Sequence, residues 1–450
     1  MFIGDAGGLS GRLQGQEITV AQILGPIVDD PNDARYADVA AAIEQLNSGD
    51  LAGTRTMLEE AAGKLPELPP AEAMMAQLLF FSGRPQSARG ALEAATSTRP
   101  EDPEAYLMLG DIALREGRMT EAQLLYKQAE TLCSAYDKNQ RRRLRMQVGA
   151  YSGISAAAAA RQGWPEVLRA LEAWLKLEPK SAEANLRKGR AQFEQGDFQN
   201  AYATFQQARQ LDPSVENPEV NMGQLYEVLA RRGVAKYHES AKRAMQAAAQ
   251  AEPDGLDTRL AIAQWALDSC EIDMAQDNAE AALKIAADSA EAMLLAAIVA
   301  RHRGDAPRAT QLLEAAHLRA PGEAAILQQL VYALLEQNQP EASAKSLEFA
   351  RLAVASEGDR RQTAAGDAVV ALAWALAKNG RQPDAEATVQ SALQSGPLGE
   401  ESAFYAAAIL DGAGRGDMAL PLLESALSSG ACFPAQDAAK SLADKLRGSK

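Results

Sequence analysis

The chain of 450 residues carries 45 Lys and Arg against 60 Asp and Glu, a net charge of −15 with three His. Affinity for a phosphate backbone comes largely from clustered cations, so this balance speaks against nucleic-acid binding. Aromatic residues make up 5% of the chain while Ala occurs 93 times, a composition suited to closely packed helices.

Three cysteines, Cys133, Cys270 and Cys432, are odd in number and far apart. That is neither a disulfide framework nor metal-ligand spacing, and it reads as free thiols in a reducing compartment. The longest uncharged stretch, Met146 to Ala160, is too short and too polar to span a membrane. No basic region precedes an apolar block at the start, so no signal peptide is recognisable. The compartment stays open between the cytoplasm and, if an export segment has been removed, the periplasm.

Residues 1–33 fall outside any repeat. Gly4, Gly7, Gly8, Gly11 and Gly15 mark a flexible start. Without a preceding strand or a Gly-Lys-Ser/Thr it is no phosphate loop. The stretch EITVAQILGPIVDDP follows, and its Ile18, Ile23, Leu24, Ile27 and Val28 are expected to dock on the first repeat.

From Ala34 onward one unit recurs. Gly49, Gly83 and Gly117 are spaced by 34, and Ala88/Ala95 return as Ala122/Ala129, Ala275/Ala282 as Ala309/Ala316, and Ala385/Ala392 as Ala419/Ala426 at the same step. The stretch Ser181 to Ser214 reads as two helices with a turn at Gly196 and Asp197 and a stop at Pro213. Gly189, Ala201 and Ala208 place small residues where the helices approach, and Phe198 and Phe205 fill the space beside them.

Gly189, Gly196, Ala201, Phe205, Ala208 and Pro213 on a 34-residue period resemble the tetratricopeptide repeat. Tyr106, Leu109, Gly110, Gly117, Ala122, Tyr126 and Ala129 repeat the pattern, as do Met293, Ala297, Gly304, Ala309, Leu313, Ala316 and Pro321. Some units depart from it: Gln140 to Pro179 has a long first helix, Asn217 to Pro253 has about six extra residues, and Glu323 to Arg361 lacks the alanine spacing. Eleven units are expected over residues 34–433 without an internal boundary, followed by a polar capping helix and tail over 434–450. The resemblance implies an all-α, right-handed superhelical solenoid whose first helices line a concave face.

Catalytic and metal-binding constellations do not stand out. His238, His302 and His317 are single, without a partner at helical or zinc spacing, and read as exposed helical residues. The abundant carboxylates read as solvated helix faces. The expectation is therefore no enzyme, no cofactor and no metal.

Partner-binding candidates come from two features. Arg141, Arg142, Arg143 and Arg145 cluster at the start of a long helix, where cations oppose the helix dipole. They are expected either to pair with neighbouring acidic repeats or to receive an acidic partner segment. By the resemblance, Phe80, Phe81, Arg115, Arg190, Phe193 and Tyr332 fall at concave-face positions, together with Leu107, Asp111 and Arg301. Adjacent Phe80 and Phe81 can hardly face the same neighbour on a helix, so at least one is expected to border the groove, the alternative being that both are buried between repeats.

The leading functional expectation is a non-enzymatic scaffold that binds peptide or helical segments of partner proteins in the groove, with self-association left open. The alternatives are a structural or assembly subunit of an envelope or secretion-type complex, and the accessory region of an enzyme carried elsewhere.

Overall fold

A computed structural model describes residues 18–356 and 362–448. The Gly-rich stretch from Gly4 to Gly15 lies outside these residues. All regular structure among the described residues is helical, and it falls into two compact units, Met1–Pro218 and Glu219–Lys450.

The first unit opens with the short helix α1 (Val20–Leu24). Five helix pairs follow: α2 (Ala37–Asn47) with α3 (Leu51–Lys64), α4 (Ala71–Phe81) with α5 (Pro85–Thr98), α6 (Pro103–Arg115) with α7 (Met119–Ala135), α8 (Gln140–Ala160) with α9 (Trp164–Leu177), and α10 (Ala182–Glu194) with α11 (Phe198–Leu211).

Starting at the boundary, the second unit holds six pairs: α12 (Pro218–Arg231) with α13 (Lys236–Ala251), α14 (Leu256–Asp268) with α15 (Ile272–Ile285), α16 (Ala290–His302) with α17 (Ala306–Arg319), α18 (Ala324–Glu336) with α19 (Pro340–Ser356), α20 (Gln362–Lys378) with α21 (Gln382–Ser395), and α22 (Glu400–Gly412) with α23 (Gly416–Ser428). Helix α24 (Gln436–Gly448) ends it, burying Ala439, Ala443 and Leu446.

The chain makes each pair by a local rule. The turn after a first helix needs one residue in the left-handed region, which Gly supplies without steric cost; Gly117, Gly196 and Gly304 take it with φ of 77°, 83° and 74°. Three turns place another residue there: Gln162, Cys270 and Asn338, with φ of 59°, 59° and 53°. In three pairs an Asp after the turn caps the second helix, as Asp50 does by accepting from the Gly53 amide at 2.8 Å and Asp305 from the Arg308 amide at 3.1 Å, whereas others start at Arg84, Arg118 or Arg415 without a side-chain cap. First helices begin similarly, with Ser181 and Ser289 accepting from the amides of Ala184 and Ala292.

Between helices, small residues meet large ones. The repeating alanines Ala122, Ala129, Ala275, Ala282, Ala309 and Ala316 are fully buried. Tyr126 of α7 lies between Gly110 of α6 and Gly153 of α8, so close that a Cβ at Gly153 would stand 2.4 Å from its ring. Phe205 meets Gly189 in the same way. Each buried Leu, such as Leu92 or Leu313, adds about 2 kcal/mol of transfer free energy to this packing. First helices of successive pairs also pack on one another, α6 on α8 and α20 on α22, which gives each unit an inner face made of first helices.

Candidate functional site

In the first unit the inner side of α4, α6 and α8 borders a cavity of about 750 Å³. That lies within the roughly 300 to 1,000 Å³ of clefts that hold ligands. Phe81, Leu107, Leu144, Val148 and Trp174 give it apolar walls, and the cations Arg141 and Arg145 line it together with the carboxylates Glu104, Glu178 and Glu183. Asp111 also lines it and accepts a hydrogen bond from the Tyr126 hydroxyl at 2.7 Å. Burial pushes the Asp111 carboxyl up to about 6, against the opposing pull of that hydrogen bond and of Arg115 and Arg145.

One edge of the cavity is formed by the chain itself, through Gln22 and Pro26. Ile18, Ile23, Leu24, Ile27 and Val28 are buried against Tyr36, Val39 and Ile43, with Phe81 packed beside them. The carbonyls of Ile27 and Val28 accept from Asn139 Nδ2 at 3.1 Å and Arg141 Nη1 at 3.2 Å, which ties this segment to the start of α8. Phe81 thus lines the cavity, while Phe80 is half-buried on the neighbouring cluster around Leu79 and Leu92.

The arginine cluster divides. Arg142 is 1% exposed and holds both oxygens of Asp102 at 2.7 and 2.8 Å, Glu104 at 2.8 Å and the Tyr136 hydroxyl at 2.7 Å. Arg142 therefore does not meet a partner, because its guanidinium is consumed inside the fold by two buried carboxylates. Arg141 pairs with Asp29 of the docked segment. Arg145 lies 3.8 Å from Glu104 and lines the cavity. Arg143 is exposed. Of the remaining candidates, Arg115 is exposed beside Asp111, and Arg190 is half-buried. Phe193 is 1% exposed, with its ring 4.8 Å from Phe198, and its assignment to a partner surface is corrected by that packing.

The inner face of the second unit is filled. Arg301 of α16 is fully buried and reaches Glu336 of α18 and Glu401 of α22, both at 2.5 Å, and the Tyr405 hydroxyl at 3.2 Å. Tyr332 of α18 is fully buried with its ring 4.4 Å from Tyr405, and Trp374 lies 5.0 Å from Tyr405 on another side. The expectation that Tyr332 meets a partner is therefore also corrected: it packs on side chains of α22, two pairs further along. Burial brings His302 down to about 4, with Glu401 opposing and Arg301 and Arg303 adding to the shift.

Two further expectations are overturned. Cys270 and Cys432 form a disulfide with a Cα–Cα distance of 5.2 Å, so only Cys133 is a free thiol. Cys133 is buried, and burial pushes its thiol up to about 12, which leaves it inert near neutrality. All three histidines are half-buried and not exposed; His238 lies between Glu227 and Glu271, at 2.9 and 3.4 Å.

A signal for the bridge was present in the sequence. Stepping 34 residues back from Gly304 lands on Cys270, at a place where the repeat puts glycine. The Arg142 network had the weaker signal of an unexplained cation at a helix start.

Eleven helix pairs with a left-handed residue at each turn define a helical-repeat protein. The family model described as the tetratricopeptide repeat matches residues 73–137, 155–216 and 329–400, so tetratricopeptide repeats are recognised in those three regions. No curated protein matches its sequence.

Among solved structures it is similar to yeast Tom70, at 13% identity and a TM-score of 0.39 over 93% of this chain and 97% of that one. It is also similar to a tetratricopeptide repeat protein from Parabacteroides merdae, at 12% identity and 0.43 over 60% and 99%. A third similarity is to MamA from Desulfovibrio magneticus RS-1, at 17% and 0.31 over 41% and 99%. Scores of this size carry nothing about function. No helix among the described residues is long and apolar enough to cross a membrane.

Proposed function

We propose that the chain is a non-enzymatic scaffold that binds segments of partner proteins along the inner face of its first unit. The supporting observation is the cavity of about 750 Å³ beside α4, α6 and α8, which combines apolar walls with charged groups of both signs. Proteins of this repeat family generally act as interaction scaffolds. On this reading Phe81, Leu107, Arg145 and Trp174 meet the bound segment, Arg115 lies within reach at the Asp111 side, and nucleic acid is not a partner.

A photo-crosslinking side chain at Leu107, compared with one at the exposed Leu318 on α17, tests the assignment. The reading expects a partner joined from position 107 and not from 318. Crosslinks from 318 alone would move binding to the outer face.

A second reading, a structural or assembly subunit of an envelope-type complex, is favoured by one observation. The Cys270–Cys432 bridge fits an oxidising compartment better than a reducing one.

A further inference from the structure

The bridge in the second unit joins places that the repeat would not bring together by itself. Cys270 sits in the turn between α14 and α15, Cys432 lies in the loop after α23, and 162 residues separate them. Between these points lie the inner helices α16, α18, α20 and α22, closed by Arg301 on Glu336 and Glu401 and by Tyr332 on Tyr405.

Cys270 also occupies a turn position with φ of 59°, where a side chain is disfavoured and glycine is the usual occupant. Its residue is exposed, so packing gives no reason for a cysteine there. A covalent tie thus joins the two ends of the stretch that carries these inner helices.

We infer that Cys270–Cys432 is a redox latch that keeps the inner face of the second unit closed while oxidised and lets its inner helices part when reduced. The exchange needs a dithiol reductant. Its thiolate attacks the sulfur of Cys270, the more exposed of the two residues, breaking the S–S bond and expelling the Cys432 thiolate, which takes up a proton. The second thiol of the reductant, as its thiolate, then attacks the mixed disulfide and expels the Cys270 thiolate, which is protonated in turn. Two electrons and two protons pass to the protein, leaving two protein thiols and an oxidised dithiol. The latch acts on the second unit alone and does not depend on binding in the first.

Hydrogen exchange on the full chain, read by mass spectrometry before and after dithiothreitol, tests this, with thiol counting to establish the state of the bridge. The result expected is exchange at least about tenfold faster in α16, α18 and α22 on reduction, with helical circular dichroism retained and protection restored by reoxidation. Cys270→Gly returns the turn to the residue the repeat prefers, so it folds, and it is expected to show the fast exchange with or without reductant. The inference is overturned if no bridge is found in the oxidised chain, or if exchange is unchanged once the bridge is broken. It is equally overturned if Cys270→Gly keeps the oxidised protection, or if reduction removes the helical signal and the bridge proves a plain staple.

Discussion

The two units are built from one repeat yet treat their inner faces in opposite ways. In the first, Leu107, Val148 and Trp174 border a cavity, and Gln22 and Pro26 of the segment held by Asn139 and Arg141 form one edge of it. In the second, Arg301, Tyr332 and Tyr405 occupy the equivalent space and bring α16, α18 and α22 together. Both units bury one arginine among carboxylates, but Arg142 joins neighbouring pairs whereas Arg301 bridges across three. The repeat therefore sets the pairs and their spacing, while a few large or charged inward side chains decide whether the face stays accessible.

The largest expected effects come from removing those arginines. Arg142→Ala leaves Asp102 and Glu104 buried without their cation, and Arg301→Ala does the same to Glu401. Each is expected to cost about 3 to 5 kcal/mol, because an uncompensated buried charge is far costlier than the pair was stabilising. Segment-resolved hydrogen exchange should find the loss confined to the unit that carries the substitution. A loss spread equally over both units would break the comparison.

Gly153→Ala sharpens the first half of it. The added Cβ would stand 2.4 Å from the Tyr126 ring, and overpacking of this kind costs about 1 to 3 kcal/mol. Denaturant unfolding of the variant measures it. Gly63→Ala, where a Cβ meets nothing within 4 Å, serves as the neutral control.

Two titrating groups should give the units opposite responses to pH. Asp111 is raised to about 6, so its contribution is fully present below the unfolded value near 4 and is lost as pH rises through 6. For a partly exposed group the swing is about 2 kcal/mol. Asp111→Asn should remove it from the first unit. His302 is depressed to about 4, so its contribution is present above the unfolded value near 6.5 and is lost as pH falls through 4. His302→Gln should flatten the acid side of the second unit's profile, an effect of similar size. Melting curves between pH 4 and 8 on the two variants read both, and slopes of the same sign would contradict the assignment.

What could be read from the sequence was local. Gly117, Gly196 and Gly304, the alanines seven apart and the closing prolines act within one 34-residue unit, so spacing alone reveals the helix pairs. One irregular unit was legible as well, since the long first helix is α8; the insertion expected near Arg231 to Lys236 is not there, because the turn between α12 and α13 is one residue longer than the others and α13 itself is lengthened to 16 residues. Contacts between units of the repeat were not legible. Arg142 meets Asp102 across a pair boundary, Arg301 meets Glu401 across 100 residues, and Cys270 meets Cys432 across 162. Nothing in the period says which inward side chains will meet, because that depends on how successive pairs pack. The same gap explains why Tyr332 and Phe193, correctly placed on first helices, turned out to be buried.

The central claim is that the inner face is accessible in the first unit and closed in the second. Hydroxyl-radical footprinting of the oxidised full chain tests it most directly, since it reads side-chain exposure residue by residue. The account predicts oxidation at Phe81, Leu107 and Leu144 and protection of Tyr332 and Tyr405, although tyrosine is intrinsically the more reactive ring. Labelling of Tyr332 and Tyr405 as fast as that of Phe81 would contradict it.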